Sequence, residues 1–169
     1  NIDIRDTYLP NGVAPDLEVE CRQYEERIKE RGGIDLQLLG IGRTGHIGFN
    51  EPLSAMQSRT RPKSLTPETV HQNAPLFERP DQMPTRAITM GVGTILEARR
   101  CLLLVTGKEK CEILARAVEG PITSMISASA LQLHPRCTVI VDEEAAACLE
   151  HKDYYRWIFE NEEEWREFH

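Results

Sequence analysis

No pair of cysteines in this chain has the C-x-x-C spacing of a metal or redox motif. The five cysteines, Cys21, Cys101, Cys111, Cys137 and Cys148, are odd in number and scattered. That pattern reads as reduced, mostly buried thiols of a cytoplasmic protein and lends no support to a zinc site. Also absent is any apolar run approaching the ~20 residues of a membrane helix, so no membrane partner is expected. No secretory signal opens the chain. Basic charge is in short supply: 20 Lys and Arg against 27 Asp and Glu, a net charge of -7, with a pI near 5.3. A general nucleic-acid surface needs the opposite balance, and no helix-turn-helix signature is visible, so nucleic acid is excluded as a partner and only a local basic pocket remains open. Internal repeats and low-complexity segments are missing as well.

What remains is an ordinary globular composition, 40% hydrophobic and 28% charged over 169 residues, enough for one domain with a real core. The most informative stretch runs from Leu38 to Pro52. An apolar strand enters a turn carrying Gly40, Gly42, Gly45 and Gly48, which delivers His46 and, five residues later, Glu51. In an open α/β sheet the carboxyl end of a strand is where ligands bind. An imidazole there can move protons near neutral pH, and a nearby carboxylate can fix its tautomer and raise its basicity.

Patterning along the chain predicts alternating helices and strands. Asp16 reads as the N-cap of a helix carrying Leu17, Cys21, Tyr24 and Ile28 on one face and ending at Gly32-Gly33. Strands are expected over 34–41, 86–90, 101–106 and 137–141. Helices are expected after Gly91, from Lys108 to Glu119, from Met125 to Leu131 and after Asp142. Residues 52–85 hold six prolines and read as a long excursion with a short helix at 67–73; such loops are usually functional. The tail, 151–169, reads as an amphipathic helix with Tyr154, Ile158, Trp165 and Phe168 near one face. It docks on the body or leads to a further domain. The implied architecture is a Rossmann-like layered α/β fold, a mostly parallel sheet flanked by helices.

Several segments then resemble the glucosamine-6-phosphate deaminase (isomerase) family. They are Ala14-Pro15-Asp16, Gly42 to Pro52, Ser58 to Lys63, Thr89 to Thr94, Thr106 to Lys110, Ala117 to Gly120, Leu131 to Pro135 and Val141-Asp142-Glu143, in the family's order and close to its spacing. The likeness spans residues 1–150 and corresponds to the later two thirds of the family's domain. The earlier part, expected to precede this chain, would carry a phosphate loop and the aspartate that moves the C2 proton.

The resemblance implies conversion of glucosamine 6-phosphate to fructose 6-phosphate and ammonia, with no metal or other cofactor. It makes an amino-sugar phosphate the small-molecule partner, in a protein that can form a homo-oligomer. His46 becomes the ring-opening acid/base, Glu51 its electrostatic partner and Thr44 a third member of that group. Gly40, Gly45 and Gly48 become the backbone that meets the sugar, and Lys110 the contact to its phosphate. Arg61 and Lys63 match a basic pair that, in allosteric members, helps hold an activating N-acetylated sugar phosphate; a solvated basic patch is the alternative. His134-Pro135 reads as structural.

Two positions depart from the family. Thr44 stands where an acid normally precedes the histidine by two residues, and Pro75 where an arginine usually meets the phosphate; Arg79 is a nearby guanidinium. Losing such a charged contact costs roughly a factor of 100 in rate or affinity. Two other readings therefore stand beside the deaminase: a 6-phosphogluconolactonase-like hydrolase, and a non-catalytic sugar-phosphate-sensing or scaffolding domain. The chain by itself is not expected to turn over substrate.

Overall fold

The protein is described by a computed structural model covering residues 2–168, with side chains as far as Arg166. Helix α1 (Leu17–Glu30) begins where its cap demands: the Asp16 carboxylate accepts from the N–H groups of Glu18 and Val19. It ends on Gly32 and Gly33. Strand β1 (Gln37–Gly40) follows, shorter than the expected 34–41. Next come β2 (Arg61–Ser64), α2 (Pro67–Asn73), β3 (Arg86–Thr89), α3 (Val92–Leu96) and β4 (Cys101–Val105). The chain closes with α4 (Cys111–Val118), β5 (Cys137–Val141) and α5 (Lys152–Asn161).

Strands β1, β4 and β5 form a parallel sheet in the order β1-β4-β5, with Leu39 beside Leu103 and Leu103 beside Val139. The expected parallel architecture holds, with one correction. Strand β3 stands outside that sheet and pairs antiparallel with β2, which the proline-rich excursion concealed. Pro62 is tolerated because a two-stranded ribbon leaves each strand one edge that needs no donor. Helix α2 occupies its expected span, with Thr66 as N-cap and Pro67 in the first turn.

Three expected helices are looser than periodicity implied. Residues Lys108–Lys110 form a 3-10 turn before α4, Ser127–Leu133 is 3-10 throughout, and the helix expected after Asp142 is a 3-10 turn, Ala145–Cys148. The core lies on one face of the parallel sheet. Leu39, Leu103 and Val105 pack there with Ile95, Ile113, Leu114, Ile126, Leu131 and Ala145. The opposite face carries Leu38, Leu104 and Ile140 in the open.

The thiol expectation is corrected at one pair. Cys111, at the start of α4, forms a disulfide with Cys148, which ends the 3-10 turn Ala145–Cys148. These residues lie 37 apart in sequence, and only the packing of that turn on α4 brings them together. Cys21 and Cys101 are buried free thiols and Cys137 is half-buried. Burial, then the neighbouring Cys137, pushes Cys101 up to about 11, which makes it inert as a nucleophile.

Helix α5 docks through Tyr155 rather than Tyr154. The Tyr155 hydroxyl and the N–H groups of Glu150 and His151 all donate to Glu119, just past α4. Tyr154 is exposed and stacks on Trp157. The helix stops at Asn161, so Trp165 falls in a following 3-10 segment. The expectations for the Phe168 side chain and for His169 lie outside the described residues. No helix among those residues is long and apolar enough to cross a membrane.

Candidate active site

The turn after β1 is built by its own backbone. Gly45 N–H donates to the Gly42 carbonyl and Gly42 N–H to the His46 carbonyl, both at 2.9 Å. Gly45 has φ 82°, and a Cβ there would strike Ile126 and Ile113. Gly42 is required for a different reason: a Cβ on it would sit on the His46 ring. Behind the turn, Ser127 accepts from Ile47 N–H and donates to the Asn50 carbonyl. The Asn50 amide donates to the carbonyls of Ile47 and Met90. The imidazole is thus presented by a turn fastened to two other segments.

His46 and Glu51 are both buried, with 8% and 2% of their surface exposed. His46 Nδ1 lies 3.0 Å from Glu51 Oε2. Glu51 Oε1 accepts from the N–H and hydroxyl of Thr66, the N-cap of α2. Thr44 Oγ1 lies 2.9 Å from His46 Nδ1 and donates to Glu51 Oε2 at 3.4 Å. A carboxylate accepts only, so the network assigns the proton to Nδ1 and leaves Nε2 for proton transfer. Burial pushes the Glu51 carboxyl up. Hydrogen bonds from Thr69, the Thr66 N–H and His46 outweigh that, and the group stays below the usual carboxylate range. It therefore stays charged beside the ring and can stabilise an imidazolium.

The other expected residues divide. Lys110 is half-buried, and its Nζ donates to the Ile41 carbonyl at 3.0 Å, at the root of the same turn. Gly45 has its N–H committed within the turn, so it shapes the loop rather than offering a free donor. Gly48 is exposed beside Thr89, and Gly40 ends β1 on the open face of the sheet. Arg61 is half-buried and donates to Asn50 Oδ1 at 3.0 Å and to the Arg59 carbonyl. It borders a cavity of about 690 Å³ between α1 and β2, which Lys63 does not line. Neither that cavity nor one of about 220 Å³ under β4 includes His46. His134 is structural: its ring meets the Ala98 carbonyl and accepts from Arg136 N–H.

Of the two departures, Thr44 joins the hydrogen-bond network, and Glu51 supplies the negative charge. Pro75 sits in an exposed 3-10 turn, and Arg79 is held by Asp81. No group of three or more metal-ligating side chains is found among the described residues. Thr66, Asn50 and Ser127 escaped the sequence reading. Thr66-Pro67 carries the signature of a helix start, but its reach to Glu51 is tertiary.

The glucosamine-6-phosphate isomerases/6-phosphogluconolactonase family matches residues 4–140. A glucosamine-6-phosphate deaminase of Corynebacterium kroppenstedtii is 49% identical over 99% of this chain and 66% of its own length. One from Hahella chejuensis is 52% identical over 94% of this chain and 61% of its own. The chain thus spans just under two thirds of the curated relatives it matches. A solved monomeric glucosamine-6-phosphate deaminase superposes with a TM-score of 0.81 at 49% identity, covering 83% of this chain and 58% of that one. The 6-phosphogluconolactonase of Trypanosoma cruzi, 24% identical with a TM-score of 0.59 over 78% of this chain and 52% of that one, shares the fold. The family match, these identities and the shared fold together make this chain a member of the glucosamine-6-phosphate isomerase/6-phosphogluconolactonase family.

Proposed function

We propose that this chain carries the ring-opening half of a glucosamine-6-phosphate deaminase, acting in the cytoplasm on an amino-sugar phosphate. The observation that carries this reading is the buried His46–Glu51 pair at the end of β1, joined at 3.0 Å with Nε2 left free. Opening the sugar ring means moving a proton between O1 and the ring oxygen. Nε2 accepts the O1 proton and returns it to the ring oxygen, while Glu51 stabilises the imidazolium formed between these steps. Thr44 steadies Nδ1, and Lys110 meets the phosphate. Removal of the C2 proton is the task of a group outside residues 1–150, the part of the deaminase domain this chain supplies.

Arg61 serves as a sensor position in this reading. It borders the larger cavity, and its guanidinium reaches Asn50, next to Glu51 in sequence. Lys63 is half-buried on the same strand and is the second basic group of that pair.

The test is ammonia release from glucosamine 6-phosphate by the full-length protein and its His46→Ala variant. The wild type releases ammonia and the variant does not. Unimpaired release by the variant removes His46 from the reaction. Opening of 6-phosphogluconolactone without ammonia release points to the lactonase reading instead.

A further inference from the structure

We propose that Arg43 is a substrate-positioning residue that, together with Lys110, forms a two-cation clamp for the phosphate of the sugar beside the His46 turn. The inference rests on the deaminase reading for the identity of the anion; the clamp itself rests on the anchoring of Lys110 to the turn that carries Arg43.

Arg43 lies in the turn between Gly42 and Thr44, which the Gly45–Gly42 and Gly42–His46 backbone bonds hold closed. Its side chain is exposed and has no hydrogen-bond or ion-pair partner among the described residues. Lys110 is anchored to the same turn through the Ile41 carbonyl, two residues before Arg43, and has no carboxylate within ion-pair distance among the described residues.

The two charges sense each other. Burial, and after it the Arg43 guanidinium, pushes the Lys110 ammonium down, while Glu109 and Glu68 act in the opposite direction. Holding two like charges close together is unfavourable unless an anion joins them, and this chain carries a net charge of -7. Among the described residues, Arg59, Arg79, Arg99, Arg156 and Arg166 are ion-paired to carboxylates, whereas neither Arg43 nor Lys110 is. A phosphate fits the pair, because a planar guanidinium binds two of its oxygens side by side and an ammonium adds a point charge. Thr44, next along the backbone, touches His46 Nδ1, so an anion held by Arg43 is tied to the imidazole through a short stretch of fixed chain.

The experiment has two arms. In the first, inorganic phosphate is titrated into this chain and followed by NMR at the 41–46 amides and the His46 ring. Arg43→Ala should weaken phosphate binding at least tenfold, and Arg43→Lys should recover part of the loss. In the second, full-length Arg43→Ala is assayed with glucosamine 6-phosphate, with the larger part of the effect expected in KM rather than kcat. Phosphate affinity unchanged by Arg43→Ala overturns the clamp, even if the full-length protein releases ammonia. Phosphate binding that depends on Arg43, in a full-length protein that releases no ammonia, upholds the clamp and overturns the deaminase reading.

Discussion

Two buried glutamates in this molecule are held in nearly the same way and do different work. Glu25, on α1, accepts from the N–H and hydroxyl of Thr60, from the Thr94 hydroxyl and from Arg59. Glu51 accepts from the N–H and hydroxyl of Thr66, from Thr44 and from His46. In both, burial raises the carboxyl and hydrogen bonds more than reverse it. The difference is the charged partner. Arg59 cannot give up its proton in any ordinary condition, so the Glu25 cluster is a rivet joining α1 to β2 and α3. An imidazole can give its proton up, so the Glu51 cluster is a device. A buried carboxylate alone therefore says nothing about catalysis; the partner's capacity to change charge decides.

That contrast can be broken at several points. His46→Ala should reduce turnover of the full-length protein by about 10²- to 10⁴-fold, the usual worth of a general acid/base. Its urea midpoint should stay close to wild type; an equal fall in stability would make His46 a second rivet. Glu51→Gln keeps the shape and removes the charge, and should cost about 10²-fold in turnover, read from initial rates of ammonia release.

Glu25→Ala should act in reverse. It strands two threonine hydroxyls and leaves Arg59 with Glu97 as its only carboxylate among the described residues, and should cost about 3 kcal/mol in urea unfolding. The turnover of molecules that remain folded should change little.

Acid should expose both clusters. A carboxyl depressed in the folded state contributes stability that is fully present above its unfolded value, about 4.3, and is lost as pH falls through the lower folded value. Melting temperature should therefore drop on the acid side of that value, and Glu25→Ala should flatten the slope. An unchanged slope in the variant would mean that Glu25 is not depressed.

The smallest effect belongs to Thr44. Thr44→Val removes one hydroxyl and should cost about 1 kcal/mol, roughly fivefold in turnover. Thr44→Asp should leave turnover unchanged or raise it, and a steep loss would show that a second negative charge beside Glu51 is not tolerated.

The two clusters also differ in how far they could be read from the sequence. His46 and Glu51 lie five residues apart on one glycine-rich turn, so their meeting is local and legible. Glu25 meets Thr60 and Thr94 across 35 and 69 residues, and no periodicity announces that. The strands β1, β4 and β5 were visible as short apolar runs, although Leu38, Leu104 and Ile140 in those runs lie on the open face of the sheet. Strand β2 was hidden by Pro62 and by its polar residues, which suit a two-stranded ribbon. The Cys111–Cys148 pairing was hidden for the same reason as Glu25, since it is a product of packing. Arg43 was legible as a residue but not as a cation without a carboxylate, which requires knowing where every acid lies.

Gly42 carries a last consequence. Because the imidazole rests directly on its backbone, the smallest possible addition there, a single methyl, would act as a wedge on the ring. Gly42→Ala is thus a means of tilting the proton-carrying edge while leaving every polar group of the network chemically intact. It separates the aim of the nitrogen from its basicity, two properties that removing His46 or Glu51 destroys together.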